Sequence, residues 1–187
     1  MFVSWRSIQT LVVGLAVIGA VGVPIATGQT LPQRHFNATS AEEVDAWQTE
    51  SRKLLFHLLA MSDLVAQREK SIEAIPFDVK ELSSTDRDSY TLKEIEFNST
   101  PTRRIKALLT IPKGETENLP AVVCIHGHGG SRQIVYDRRS LYRGFARKLA
   151  ADGYITISTD VGQHEVFEEG RTLMGERLWD VLRCADY

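Results

Sequence analysis

Ala121-Val-Val-Cys-Ile-His-Gly-His-Gly-Gly130 is a short apolar run that gives way to a glycine-rich loop carrying two histidines. Ala121 to Ile125 is too short for a helix and follows Pro120, so the pattern predicts a buried strand of a parallel sheet. Glycines just past the strand let backbone N–H groups approach a ligand closely. Such a loop can present amide donors to a developing negative charge, which is the work of an oxyanion hole.

The flanking sequence supplies the rest of a sheet. Leu141, Tyr142, Phe145, Leu149 and Ala150 predict one face of a helix, with Arg143, Arg147 and Lys148 opposite and Gly153 closing it. Tyr154 to Thr159 is a second β-branched run, ending at Asp160. Strand, crossover helix and strand make the two strands parallel. Leu178, Trp179, Val181, Leu182 and Ala185 predict a further helix beginning near Arg171. Upstream, Leu92, Ile95 and Phe97 predict one strand, and Ile105, Ala107, Leu109 and Ile111 a second. Asn98-Ser-Thr-Pro101 is the turn that makes them an antiparallel hairpin. Before these, Ser40 and Glu43 form a capping box, and Val44, Trp47, Leu54, Leu55, Leu58 and Leu59 recur at helical spacing. The expectation is an amphipathic helix from about Ala41 to Leu64, broken or extended into a charged piece before Pro76, with His57 a structural histidine.

The first residues have a different character. Arg6 is the only charge before Arg34, and the apolar stretch Leu11 to Ala26 ends in Ala26-Thr-Gly28, a signal-peptidase pattern ahead of Gln29. Export with cleavage after residue 28 is expected, to the periplasm or the exterior and with no stable membrane association afterwards. An uncleaved N-terminal anchor is the alternative. The expected organisation is a signal peptide over 1–28, a helical extension over 29–88 and an α/β domain over 89–187.

A content of 43% hydrophobic and 25% charged residues is that of a globular domain, and the formal net charge of -2 provides no basic field for nucleic acid. Cys124 and Cys184 are the only cysteines. Their places, on a core strand and on a helix, predict two buried unpaired thiols.

Residues 90–187 resemble the first half of the α/β-hydrolase superfamily, in its exported dienelactone-hydrolase and acetylxylan-esterase type. His126-Gly-His-Gly-Gly130, Asp160-Val-Gly-Gln-His164 and Leu178-Trp-Asp-Val-Leu-Arg-Cys-Ala-Asp-Tyr187 carry the likeness. The resemblance implies an antiparallel hairpin followed by parallel strands with crossover helices, behind a helical N-terminal segment. It implies that the backbone N–H of His128 is one oxyanion donor, on a loop shaped by Gly127 and Gly129. His126, Gly130, Asp160 and His164 would belong to active-site loops, with His126 bracing its turn. In this superfamily the base comes last, after nucleophile and acid, so neither His126 nor His128 is the triad histidine. The chain has no Gly-x-Ser-x-Gly or Gly-x-Cys-x-Gly, and Ser131 lacks a nucleophile elbow. Nucleophile, acid and base are therefore expected beyond Tyr187, in an enzyme of which this chain is the N-terminal part. Its substrate would be a small-molecule or carbohydrate ester, hydrolysed without a cofactor or metal.

Two rival readings follow from the same residues. His126, His128, Asp160 and His164 could converge as four ligands of a metal-dependent hydrolase. Alternate residues of an extended strand point to opposite faces, which weighs against it. The other rival is an exported non-catalytic protein with a hydrolase-like half-fold. A phosphate-binding loop lacks its Lys-Ser/Thr ending here.

Overall fold

A computed structural model describes residues 35–114 and 117–187; the leader expected over 1–28 lies outside the described residues. Near the start of the described chain, the Ser40 hydroxyl accepts from the Glu43 N–H at 3.3 Å. The Glu43 carboxylate in turn accepts from the Thr39 N–H at 2.7 Å and the Thr39 hydroxyl at 2.9 Å. This reciprocal cap opens α1 (Ala41–Leu58). Ala60 has φ 54, a left-handed value that a right-handed helix cannot continue. The helix expected to reach Leu64 is thereby divided, and α2 (Ser62–Lys70) follows the break.

Among the described residues five strands form one sheet: β1 (Lys80–Asp86), β2 (Tyr90–Asn98), β3 (Arg104–Pro112), β4 (Ala121–Val123) and β5 (Ile155–Thr159). Their spatial order is β1-β2-β3-β5-β4. The β2–β3 hairpin pairs Tyr90 with Pro112 through to Asn98 with Arg104, antiparallel as its short turn demands. β5 lies antiparallel to β3 and parallel to β4. Strand β4 therefore stands at one edge, although β5 follows it in the sequence. β1 was not foreseen, for a physical reason: all seven of its residues are exposed, so Lys80-Glu-Leu-Ser-Ser-Thr-Asp86 carries no alternation of burial. The apolar run of Ala121 to Ile125 gives a shorter strand than expected. Cys124 N–H still donates to the Ile157 carbonyl at 2.7 Å, but Ile125 is 49% exposed.

The helices also depart from expectation in one place. α3 (Phe145–Ala151) begins after Gly144, whose φ of 64 prevents the helix from running back to Leu141. Leu141 is 98% exposed and belongs to no apolar face, whereas Tyr142 turns toward the glycine loop. α4 (Leu173–Asp186) is capped by Thr172, whose hydroxyl accepts from the Gly175 N–H at 3.0 Å.

Apolar side chains fill both faces of the sheet, which places a helix on each. Phe97, Ala107, Leu109 and Ile157 pack with Cys184 of α4 on one side. Cys124 and Val135 pack with Ala146 of α3 on the other. A third cluster, Met61, Leu64, Ile75 and Trp179, joins α2 to α4, and residues 37–187 form one compact unit. Polar contacts reinforce this junction. Thr172 donates from its hydroxyl to the Leu59 carbonyl at 3.0 Å, and Arg171 holds Asp63 through two bonds of 2.5 and 2.8 Å. Buried Arg183 donates to the Ile75 carbonyl at 2.7 Å and lies 3.9 Å above the centre of the Phe77 ring.

Candidate functional site

Two loops meet at the carboxyl ends of β4 and β5, the end of a parallel pair where ligands bind in open α/β sheets. One is the glycine loop 126–130, and the other runs from Asp160 to Glu165. His126 joins them. It is 4% exposed, with Nδ1 at 2.8 Å from the Gly127 carbonyl and Nε2 accepting from the Val161 N–H at 3.1 Å. That pattern makes Nδ1 the hydrogen-bearing nitrogen and leaves no free lone pair for a metal.

Around this brace the glycines are used individually. The Gly127 N–H donates to the Tyr142 hydroxyl, and the Gly130 N–H closes a turn on the Gly127 carbonyl at 3.1 Å. A Cβ on Gly130 would stand 2.8 Å from His126 Nδ1, and one on Gly162 would stand 3.1 Å from the Gly130 carbonyl. Gly129 takes φ +71 with open space around it, so its requirement is conformational rather than steric. Between them, the His128 N–H has no hydrogen-bond acceptor among the described residues. Like the Gly129 N–H beside it, it is a free donor, on a loop braced by the His126 ring and by Tyr142.

The side chains around the loop are unevenly committed. Arg132 donates its backbone N–H to Asp160 at 2.7 Å, its guanidinium pairs with the same carboxylate, and a third bond of 2.6 Å reaches Glu94 on β2. Burial acts to lower the Arg132 pKa, but the two carboxylates outweigh it and hold the guanidinium firmly charged. His128 and His164 are exposed and meet edge to face, ring centres 4.9 Å apart. A cavity of about 880 Å³ opens beside Asp160, between the start of β3 and the end of β5, with Arg104, Lys106, Thr159 and Gln163 on its walls.

The four ligands weighed for a metal do not converge. His126 is consumed by backbone bonds and Asp160 by Arg132, so only His128 and His164 come together. Among the described residues no group of three or more histidine, cysteine or carboxylate side chains is arranged to hold a metal. Ser131 serves a turn, its carbonyl accepting from the Ile134 N–H at 3.0 Å. Burial pushes the Cys124 thiol up to about 12, so it is no nucleophile, and both cysteines are buried and unpaired. Arg132 and Glu94 escaped the sequence reading, and Tyr142, expected on a helix face, instead meets the glycine loop. Arg132 directly follows the loop, but nothing local reveals that its partners lie on β2 and after β5.

The comparisons agree with this architecture. The model of the Abhydrolase family matches residues 6–170. Among solved structures, the chain is similar to a candidate acetyl xylan esterase from Bacteroides fragilis at 19% identity and a TM-score of 0.53, covering 81% of this chain and 44% of that one. It is also similar to the acetyl xylan esterase of Paenibacillus sp. R4 at 16% identity and a TM-score of 0.50, covering 70% and 45%. The chain thus spans under half the length of these structures, and at such identities the likeness is one of fold. No curated protein matches the sequence.

Proposed function

Because this chain belongs to the Abhydrolase family of α/β-hydrolases, we propose that it is the oxyanion-binding half of an exported carboxylic-ester hydrolase. The observation that carries the reading is the His128 N–H, a backbone donor without an acceptor, at the carboxyl end of β4 on a loop braced by the His126 ring and by the bond from Gly127 N–H to Tyr142. Donors fixed before the reaction need no reorganisation when charge develops on the carbonyl oxygen, which is why such loops accelerate acyl transfer. In the proposed mechanism a serine attacks the ester carbonyl, and the tetrahedral oxyanion is held by the His128 N–H together with the N–H after the nucleophile.

The serine, its acid and its base are assigned to sequence outside these 187 residues, since no Gly-x-Ser-x-Gly occurs within them. Acetylated carbohydrate is the proposed substrate class, on the strength of the solved relatives' activity and the expected export signal. The polar walls of the cavity beside Asp160 are compatible with a hydroxyl-rich ligand.

The test is turnover of p-nitrophenyl acetate by the 187-residue chain and by the same chain continued through its downstream reading frame. Activity is expected only in the continued form, sensitive to a serine-directed phosphonate, with a Gly-x-Ser-x-Gly encoded within about thirty residues of Tyr187. Phosphonate-sensitive turnover by the 187 residues alone would overturn the assignment.

A further inference from the structure

We propose that His128 and His164 form a two-imidazole binding site for a late first-row divalent cation, Zn²⁺ or Cu²⁺, that staples the glycine loop to the loop after β5. The site is new in kind: the cation is no participant in ester hydrolysis, and the inference stands whether or not the chain belongs to an esterase. Three observations carry it.

The first is distance. A Zn²⁺ at ~2.0–2.1 Å from one nitrogen of each ring lies about 3.2 Å from each ring centre, so two imidazoles on a tetrahedral ion have centres about 5 Å apart. The His128 and His164 centres are 4.9 Å apart. The second is availability. Both rings are exposed, and neither has a hydrogen bond that would have to be broken, in contrast to His126. Their interplanar angle of 77° places the edge of one ring toward the face of the other. Presenting a nitrogen of each ring to one ion therefore requires a turn about χ2, a broad torsion for histidine. The third is the backbone beneath. His126 ties the two loops together through Val161, and Gly162 packs against the Gly130 carbonyl, so the two histidines rise from supports already fixed to each other. Pre-organisation of that kind lowers the cost of bringing two ligands to one ion.

Imidazole nitrogen selects the late divalent ions over Mg²⁺ and Ca²⁺, which prefer oxygen. With two protein ligands the remaining positions fall to water, so the ion is exchangeable rather than resident. Bound there, it sits on the same residue whose backbone N–H is free.

Equilibrium dialysis of the chain against Zn²⁺ and against Cu²⁺, with Mg²⁺ as the control, tests the site. One ion per chain is expected, with affinity falling by at least about tenfold in His164→Gln and again in His128→Gln, a loss at the lower end of that seen even for indirect ligand support. The control variants His35→Gln and His57→Gln should bind like the parent. Because His128 and His164 are exposed, their substitution leaves the core intact, and far-ultraviolet circular dichroism checks this. Electron paramagnetic resonance of the Cu²⁺ form should show two imidazole nitrogens in the parent and one in either single variant. Parent-like affinity in the His128→Gln/His164→Gln double variant, or no binding by the parent, overturns the proposal.

Discussion

Single residues in the glycine loop have separable reasons for being what they are. At Gly129 only the positive φ matters, so Gly129→Ala should cost about 1–2 kcal/mol, the penalty of a left-handed conformation. At Gly130 the added methyl meets His126 Nδ1 at 2.8 Å and the Gly127 carbonyl at 3.1 Å. Gly130→Ala should therefore also break the brace that links the two loops. Urea unfolding should rank Gly130→Ala as the more damaging, and equal losses would show that the His126 contact is not limiting. For His128 the side chain and the backbone make different predictions. In the continued, active chain, His128→Pro deletes the N–H and should lower kcat by about 10²–10³, whereas His128→Gln keeps the donor and should leave kcat near the parent value. Comparable losses in both variants would mean that the imidazole, not the amide, serves the reaction.

Among the elements, the junction of α4 with the helical segment shows how local rules yield to packing. Alanine is the better helix former by about 1 kcal/mol, so propensity alone predicts that Gly175→Ala stabilises α4. A Cβ there would run into the Leu59 carbonyl, which is backbone and cannot swing aside. We expect Gly175→Ala to destabilise instead, by about 1–3 kcal/mol, and to expose α1 and α2 to protease first. Glu168 offers a test by pH. Burial acts to raise its pKa, but the hydroxyls of Thr102 and Thr100 together with Arg103 outweigh it, so its pKa lies below the ordinary 4.5. A carboxyl depressed in the folded state stabilises above its unfolded pKa, and the contribution is lost as pH falls through the folded value. The stability difference between the parent and Glu168→Gln should be full near neutrality and fade below pH 4.5, measured by urea titration at each pH. Asp180 moves the opposite way, raised by burial against the pull of Arg103 and Ser99, so only the difference between variants isolates Glu168. The same elements mark what a sequence can reveal. β2, β3, β5 and α4 were legible because each alternates or repeats its apolar residues against a core. β1 was not, because its one large apolar side chain, Leu82, is itself 37% exposed. The start of α3 was misplaced because Leu141 fits the helical spacing, while Gly144 sets the boundary by a backbone angle that spacing does not encode. Within the site, the loop at 126–130 was legible from its glycines, and the loop after β5 from the resemblance that Asp160-Val-Gly-Gln-His164 carries. The Arg132 bridge from Glu94 to Asp160 joins residues 38 and 28 positions apart and leaves no local trace.

At the scale of the molecule, the two edges of the sheet are unlike. β1 presents an exposed polar edge with a register irregularity between Glu81 and Ser83, features that discourage pairing with another chain. β4 presents Val122 and Val123, and beyond them Ile125 is half exposed, with none of those defences. The 187-residue chain should self-associate through β4. Ile125→Lys should shift it toward monomer in concentration-dependent light scattering, while Leu82→Lys on the other edge should change little. The same strand order also bears on biosynthesis. Because β5 lies between β3 and β4, the apolar β4 leaves the ribosome with no strand to join until Thr159 has followed it. At ordinary elongation rates that interval is roughly 2–7 s, long compared with the collapse of a nascent chain. A chaperone that holds extended apolar segments should bind this chain most strongly when synthesis is arrested with β4 outside the ribosome and β5 still within it, and release it once β5 is out.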